Sequence, residues 1–140
     1  MRAVLDTSIL VAGLRSRLGA SNRLLALVAE GRCIPLVTTT LFLEYEDVLL
    51  RAEHRLATGM SERDIAGFLA AFASAAEPVE VRFTWRPQLS DPADELVLEA
   101  AVNGRADVII THNRKDFHPA LRAFGIAVKV PAQILKEPTA

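Results

Sequence analysis

The stretch DPADELVLEAAVNGRADVIITHN (residues 91–113) carries the pattern that decides the fold, a helix followed at once by a buried strand. Asp91 is placed to cap the helix, and Pro92 suits its first position because proline has a preset φ and no N–H to lose. Gly104 closes the helix. The run ADVIITHN (106–113) then has the apolar, β-branched character of a strand covered on both faces. A helix that leads directly into a buried strand is typical of α/β proteins.

The rest of the chain repeats this alternation. Strands are predicted over Ala3–Leu5, Leu36–Thr38, VEVRF (79–83, an edge strand) and IAVKVP (126–131). Helices are predicted from Ile9, from Ser21 to Gly31, over LFLEYEDVLLRAEHRL (41–56) with Thr40 as N-cap, and over SERDIAGFLAAFASAA (61–76) with a capping box of Ser61 and Asp64. We therefore expect one α/β domain over residues 1–140, built around a mostly parallel sheet.

Composition restricts the function classes. The chain has 140 residues, 51% of them hydrophobic, and a formal net charge of -1, so a nucleic acid would have to be held locally rather than by overall charge. No apolar run is long enough to span a bilayer, and the N-terminus lacks a signal-peptide pattern. Cys33 is the sole cysteine and is expected to be a buried small hydrophobe, which fits a reducing cytoplasm.

Polar residues are expected to gather at one edge of the sheet. In open parallel sheets, ligands bind beyond the carboxyl ends of the strands, where the strand order reverses. Asp6 ends the first strand, and Thr111 and Asn113 follow the strand ADVII. Asp94 and Glu44 are expected in the first turns of their helices. Positions far apart in the sequence can therefore meet at one rim.

Each of these acids also has a purely structural interpretation. Asp6 and Asp91 could cap helices, and Asp94 could be an acid favoured by the helix dipole. Asp116 fits an ordinary turn, and Glu44 fits a solvated helix face. Acids that converge would repel each other, however, and a divalent cation with oxygen ligands offsets that repulsion. Such an ion is suited to phosphodiester hydrolysis.

Other chemistries fit the sequence poorly. It has no P-loop, no GxGxxG after the first strand and no GxSxG around a serine nucleophile. The histidines lack zinc-ligand spacing, and an aspartyl phosphotransferase would want an acid where Ser8 stands. His112 could contact a substrate or be only a polar residue at a strand end.

Four stretches carry a resemblance to a known family: VLDTSIL (4–10), FLEYEDVL (42–49), DPADELVLEAAVNGRADVIITHNRKDF (91–117) and PAQIL (131–135). In this order they resemble PIN-domain ribonucleases, in particular the VapC-like toxins of type II toxin–antitoxin pairs. The resemblance covers nearly the whole chain. It implies a three-layer α/β/α fold and Mg²⁺- or Mn²⁺-dependent endonucleolytic cleavage of RNA at an acidic cluster.

The resemblance also implies roles for individual residues. Asp6, Glu44 and Asp94 match the family's acids, and of these Asp6 and Asp94 would hold the metal. Asn113 stands where many members carry a fourth acid, and its amide brings no charge, so we expect one well-held ion and a weaker second one. The residues expected to support the site are Thr7, Ser8, Asp91, Thr111 and Asp116. Candidate phosphate contacts are Arg15, Arg17, Arg23, Arg114 and Lys115.

Partners follow from the same resemblance. A nuclease toxin needs an antitoxin, and the apolar helices around LLALVAEG (24–31) and GFLAAFASAA (67–76) favour a homodimer, although such stripes also fit a core. The alternative is a PIN-like module that has lost catalysis and only binds RNA or protein, an interpretation that Asn113 supports. A DNA or flap nuclease is a lesser alternative, because the chain is small and lacks a large basic clamp.

Overall fold

The computed structural model of the chain describes residues 1–85 and 87–136, apart from the side chains of residues 120–122. The strands are β1 (Arg2–Leu5), β2 (Ile34–Val37), β3 (Glu77–Pro78), β4 (Val108–Ile110) and β5 (Ala127–Lys129). The helices are α1 (Thr7–Arg15), α2 (Ala20–Ala29), α3 (Thr39–Leu49), α4 (Ala52–Thr58), α5 (Glu62–Ala75), α6 (Pro92–Gly104), α7 (His118–Phe124) and α8 (Pro131–Lys136), with a 3₁₀ helix at Arg114–Phe117.

The strands form one sheet in the order β3-β2-β1-β4-β5, and every neighbouring pair is parallel. The chain moves from β1 to β2 and β3 in one direction and then crosses back past β1 to β4 and β5. Because parallel crossovers are right-handed, helices on the outward and return connections cover opposite faces of the sheet. The predicted three-layer α/β/α fold is confirmed.

The strand order reverses at β1, between β2 and β4. Leu5 of β1 is in register with Ile110 of β4, so the residues that follow these two strands are neighbours. Asp6 and Thr111 are those residues, and the Asp6 N–H donates to the Ile110 carbonyl over 2.9 Å. The edge of the sheet predicted to bind ligand therefore lies where the topology places a crevice.

Helix α6 brings its acidic first turn to this edge by packing along β1, β2 and β4. Val97, Leu98, Ala100 and Ala101 on its inner face are at most 1% exposed. The two alanines let the helix approach the sheet closely, because their side chains add little bulk. Cys33 is buried in the same core as predicted, and burial raises the pKa of its thiol to about 11.

Two sequence predictions about α3 are wrong. The N-cap is Thr38, not Thr40: the Thr38 hydroxyl accepts the Leu41 N–H over 3.1 Å. The helix predicted over 41–56 is divided into α3 and α4, because Arg51 has an extended backbone with ψ near 137°. Its carbonyl accepts the N–H groups of His54 and Arg55, which starts the new helix. Because arginine has good helix propensity, the residue type at position 51 does not indicate a break, and the spacing of the apolar residues does not indicate one either.

The edge strand predicted over 79–83 is also wrong, because β3 ends at Pro78. The Val79 N–H still donates to the Val37 carbonyl, but the chain then turns to α6 for its partners. The Asn103 carboxamide oxygen accepts the N–H groups of Arg82 and Phe83, each over 2.7 Å. A side chain thus satisfies the backbone groups that a neighbouring strand would otherwise pair.

Among the helices in residues 1–85 and 87–136, none combines the length and apolar content needed to cross a bilayer.

Candidate active site

Asp6 supplies the most buried carboxylate of the rim, at 8% exposure. It occupies the N-cap position of α1, but its side chain makes no capping hydrogen bond. Instead, the hydroxyls of Ser8 and Thr111 both donate to Oδ2, over 2.9 and 2.7 Å. No donor in the described part of the chain reaches Oδ1, which is left to accept from a ligand. The interpretation of the Asp6 side chain as a helix cap is therefore wrong.

Tyr45 also helps to hold Asp6 in position, and this role was not predicted from the sequence. Its side chain is fully buried, and its hydroxyl donates to the Leu5 carbonyl over 2.6 Å, one residue before Asp6. Burial, with the charge of Asp6 as a lesser cause, raises the pKa of this phenol well above its usual value. The hydroxyl therefore stays protonated and holds the end of β1 in place. A tyrosine on the apolar face of a predicted helix was the available signal.

Asp94 lies in the first turn of α6 and is half-buried. Within residues 1–85 and 87–136 its carboxylate has no hydrogen bond and no ion pair. Burial, followed by the negative charges of Asp6, Asp91, Asp116 and Glu95, raises its pKa to about 7. The charge of Asp6 therefore acts on Asp94, and their joint role in a site stays a prediction.

The neighbouring acids differ in role. Asp91 is the N-cap of α6, and its Oδ1 accepts the Ala93 N–H over 2.9 Å, so its predicted capping role is confirmed. Asp116 is exposed on the 3₁₀ helix, near enough for its charge to act on Asp94. Asn113 is exposed, and its backbone N–H donates to the Thr111 hydroxyl over 3.0 Å. A single hydroxyl thus joins the Asn113 backbone to the Asp6 carboxylate.

Glu44 is half-buried on α3 and lies in the second turn of that helix, not the first, because α3 begins at Thr39. It is not among the carboxylates that raise the pKa of Asp94. Its role as third acid stays a prediction.

Thr7, Ser8 and Arg15 line a cavity of about 530 Å³. Arg15 is thus near the side chains that flank Asp6.

The donor set fits a hard divalent cation held by few protein ligands. In the described residues, no group of three or more His, Cys, Asp or Glu side chains is placed to hold a metal ion together. Two carboxylates remain, Asp6 with its free Oδ1 and Asp94 with no partner. Mg²⁺ is commonly bound by one or two carboxylates and keeps several waters. Burial is the main cause of the raised pKa of Asp94, and the repulsion by neighbouring carboxylates that adds to it is what such a cation offsets.

His112 follows Thr111 and turns toward α2. Its Nε2 lies 2.8 Å from the hydroxyl of Ser21, a residue that is 3% exposed. The imidazole itself is exposed. The sequence leaves open whether His112 contacts a substrate, and Ser21, predicted only as the start of a helix, was not identified as its partner.

Fold and site together define an α/β/α domain with an acidic site at its topological switch point. Comparison with protein families matches residues 2–115 to the PIN domain. The chain belongs to the PIN domain family, whose members are generally nucleases, typically depend on divalent metals and are associated with RNA. Searches of curated proteins and of solved structures found no significant match.

Proposed function

We propose that this PIN domain is an Mg²⁺- or Mn²⁺-dependent endoribonuclease. The observation that carries the proposal is the convergence of Asp6 and Asp94, two carboxylates from distant segments, at the carboxyl ends of β1 and β4. Neither is used as a helix cap or in an ion pair within the described residues, and the charge of Asp6 helps to raise the pKa of Asp94. Placing unpaired carboxylates close together costs folding free energy, and such an arrangement is typical of functional sites.

Asp6 and Asp94 would hold the metal, and the remaining residues would prepare the site. Ser8 and Thr111 fix Asp6 Oδ2, and Oδ1 has no donor among the described residues. When bound, a divalent ion polarises the phosphate and favours ionisation of water. Glu44 would orient the attacking water, and Asn113 would accept a hydrogen bond without adding charge. Thr7, Asp91 and Asp116 would support this arrangement from the surrounding turns.

The test is cleavage of RNA by metal-stripped protein resupplied with Mg²⁺ or Mn²⁺. We expect cleavage by the wild-type chain and none by Asp6→Asn or Asp94→Asn. Arg63→Ala is the control, because Arg63 is exposed on α5 and makes no contact with the rim residues described above. Equal cleavage by all four proteins would identify a contaminating nuclease and end the assignment.

A binding module without catalysis is the second candidate. Asn113 in place of an acid favours it, as does the lack of a three-acid group within the described residues. Titration with Mn²⁺ separates the two candidates. A nuclease binds the ion in a way that depends on Asp6 and Asp94, whereas a binding module retains RNA affinity with no such dependence.

We also propose that the chain acts in the cytoplasm as the toxin of a type II toxin–antitoxin pair, as a homodimer neutralised by a cognate antitoxin. The sequence resemblance supports this role. Induced expression in a bacterial host should stop growth with the wild-type chain and not with Asp94→Asn, and co-expression of a small adjacent reading frame should restore growth. Light scattering of the purified chain tests the dimer. Normal growth on wild-type expression would contradict the toxin role but not the nuclease.

A further inference from the structure

A second pocket opens beside the acidic rim, at the carboxyl ends of β4 and β5. Its volume is about 540 Å³, which is in the range of small-ligand sites. His112, Asn113, Arg114, Lys115 and His118 are among the residues that line it. Its walls are therefore dominated by groups that carry positive charge or can acquire it.

The peptide segment that lines the pocket is linked to the acidic site by hydrogen bonds. Thr111 donates to Asp6 Oδ2 and accepts the backbone N–H of Asn113, so the segment that builds the pocket is hydrogen-bonded to the rim. Asp116 is the carboxylate of the pocket, and its charge also acts on Asp94. Asp116 thus marks the boundary where the acidic site ends and the basic pocket begins.

The two strong cations of the pocket are available to a ligand. Arg114 and Lys115 are both exposed, and neither side chain forms a hydrogen bond or ion pair within residues 1–85 and 87–136. Two arginines elsewhere are paired within the fold: Arg51 pairs with Asp47 over 2.9 Å, and Arg2 pairs with Glu77. A guanidinium offers a bidentate fork that matches phosphate oxygens, and an ammonium is a common second phosphate contact.

His112 is positioned for the same ligand. The buried Ser21 hydroxyl holds Nε2 over 2.8 Å, so the ring is fixed although it is exposed. Nδ1 takes no described hydrogen bond. Fixing a contact group before binding reduces the ordering cost of association.

We propose that this pocket binds the RNA phosphate that flanks the scissile one, with Arg114 and Lys115 as charge contacts and His112, positioned by Ser21, as a hydrogen-bond contact. The inference rests on the proposed function because the ligand is RNA. It adds a path for the RNA strand, which runs from the acidic rim past Asp116 into the basic pocket.

The experiment measures RNA binding separately from cleavage. All variants carry Asp94→Asn, and the probe is a labelled random-sequence pool of single-stranded RNA of about twelve nucleotides. Arg114→Ala with Lys115→Ala should raise Kd about tenfold or more at moderate salt. It should also make the slope of log Kd against log salt shallower by about 1.4, because each contact to single-stranded phosphate contributes about 0.7. Arg63→Ala is the matched control and should change neither quantity.

The Ser21 contact is tested with a double-mutant cycle in the same assay. His112→Ala, at an exposed position, should raise Kd about three- to tenfold, and Ser21→Ala should raise it less. The double variant should bind no more weakly than His112→Ala, because Ser21 acts through the imidazole. Melting temperatures monitor folding, and since His112 is exposed its variant remains informative if Ser21→Ala unfolds. Additive losses would show that Ser21 acts independently of His112.

The outcomes separate this inference from the nuclease assignment. Unchanged Kd and salt slope in the Arg114, Lys115 double variant would overturn the pocket, even if the wild-type chain cleaves RNA. Weakened binding in a chain that never cleaves RNA would support the pocket and contradict the nuclease.

Discussion

Asp64 and Asp94 occupy the same position in two helices, the third residue after the N-cap, yet their carboxyl groups behave in opposite ways. Asp64 accepts the Ser61 N–H over 2.9 Å while the Ser61 hydroxyl accepts the Asp64 N–H, which completes a capping box. These hydrogen bonds lower the pKa of Asp64. Asp94 has no such bond in the described residues, and burial and neighbouring acids raise its pKa to about 7. Asp64 stabilises a helix, whereas Asp94 is free to serve a site.

The cause of the difference lies in the cap residues. In SERD (61–64) the serine hydroxyl and the third-residue carboxylate satisfy each other's N–H groups. In DPAD (91–94) the Asp91 carboxylate takes the Ala93 N–H itself. A second carboxylate beside it is repelled, and the Asp94 side chain is left at the crevice that holds Asp6.

The largest expected effect is on catalysis. Asp94→Asn should lower RNA cleavage at least about 10²- to 10³-fold, because it removes one of the two carboxylates proposed to hold the metal ion at the reacting phosphate. Asp64→Asn is the matched control and should leave cleavage within about twofold of the wild type. The measurement is the initial rate on RNA in excess Mg²⁺ or Mn²⁺. Equal losses in the two variants would mean that Asp94, like Asp64, acts through helix stability.

A smaller loss is expected when Asp6 is left in place but loses a hydrogen bond. Thr111→Val keeps the shape of a fully buried residue and removes the hydroxyl that donates to Asp6 Oδ2. Cleavage should fall about 10- to 100-fold, the usual cost of losing a group that orients a metal ligand. Thr58→Val, at the end of α4, is the control. If added Mn²⁺ does not change the size of the loss, Thr111 does not act through metal binding.

Stability should change in the direction opposite to activity. The folded pKa of Asp94 is about 7, against 3.8 for an ordinary aspartate, so the native state binds more protons than the unfolded state between these values. Stability of the metal-free protein should therefore fall as pH rises from about 4 to about 7. Asp94→Asn removes this loss and should raise the free energy of unfolding at pH 8 by about 1–2 kcal/mol, after solvent screening is allowed for.

Urea unfolding in EDTA at pH 4 and pH 8 makes this measurement. The gain should be small at pH 4, where Asp94 is largely protonated in the native state. Destabilisation by Asp94→Asn at pH 8 would show that its carboxylate is satisfied in the metal-free fold.

The smallest effect concerns the other side of the comparison. Ser61→Ala should lower stability by about 1 kcal/mol through loss of the cap and leave RNA cleavage unchanged.

The pKa of Asp64 is lowered in the folded state. The contribution of Asp64 to stability is therefore complete above the ordinary aspartate pKa and is lost as pH falls through the folded pKa. Acid unfolding curves of the wild type and Asp64→Asn should therefore converge below about pH 4. Curves that stay parallel there would contradict the capping box.

Much of this architecture could be predicted from local patterns. The helix at 92–104, its cap and the capping box at Ser61 and Asp64 follow from residue types at fixed offsets. The parallel sheet follows from the alternation of strands and helices, and with it the meeting of Asp6 and Thr111. These features depend on rules that act within a few residues or on the handedness of crossovers.

Other features depend on contacts that no local pattern encodes. The backbone beyond β3 is held by Asn103, about twenty residues away on α6, so alternation in VEVRF was misleading. The hydroxyls of Tyr45 and Ser21 belong to predicted helices, and their partners are Leu5 at the end of β1 and His112 in the loop after β4. The first-turn acids Asp64 and Asp94 follow different cap residues in the sequence, but the burial that raises the pKa of Asp94 comes from packing.

The central claim is that Asp6 and Asp94 share one divalent cation. Calorimetric titration of the metal-free chain with Mn²⁺ tests it most directly, because it does not require a known RNA substrate. We predict one site in the wild type and in Asp64→Asn, and its loss in both Asp6→Asn and Asp94→Asn. Undiminished Mn²⁺ binding by the Asp6 and Asp94 variants would contradict the claim.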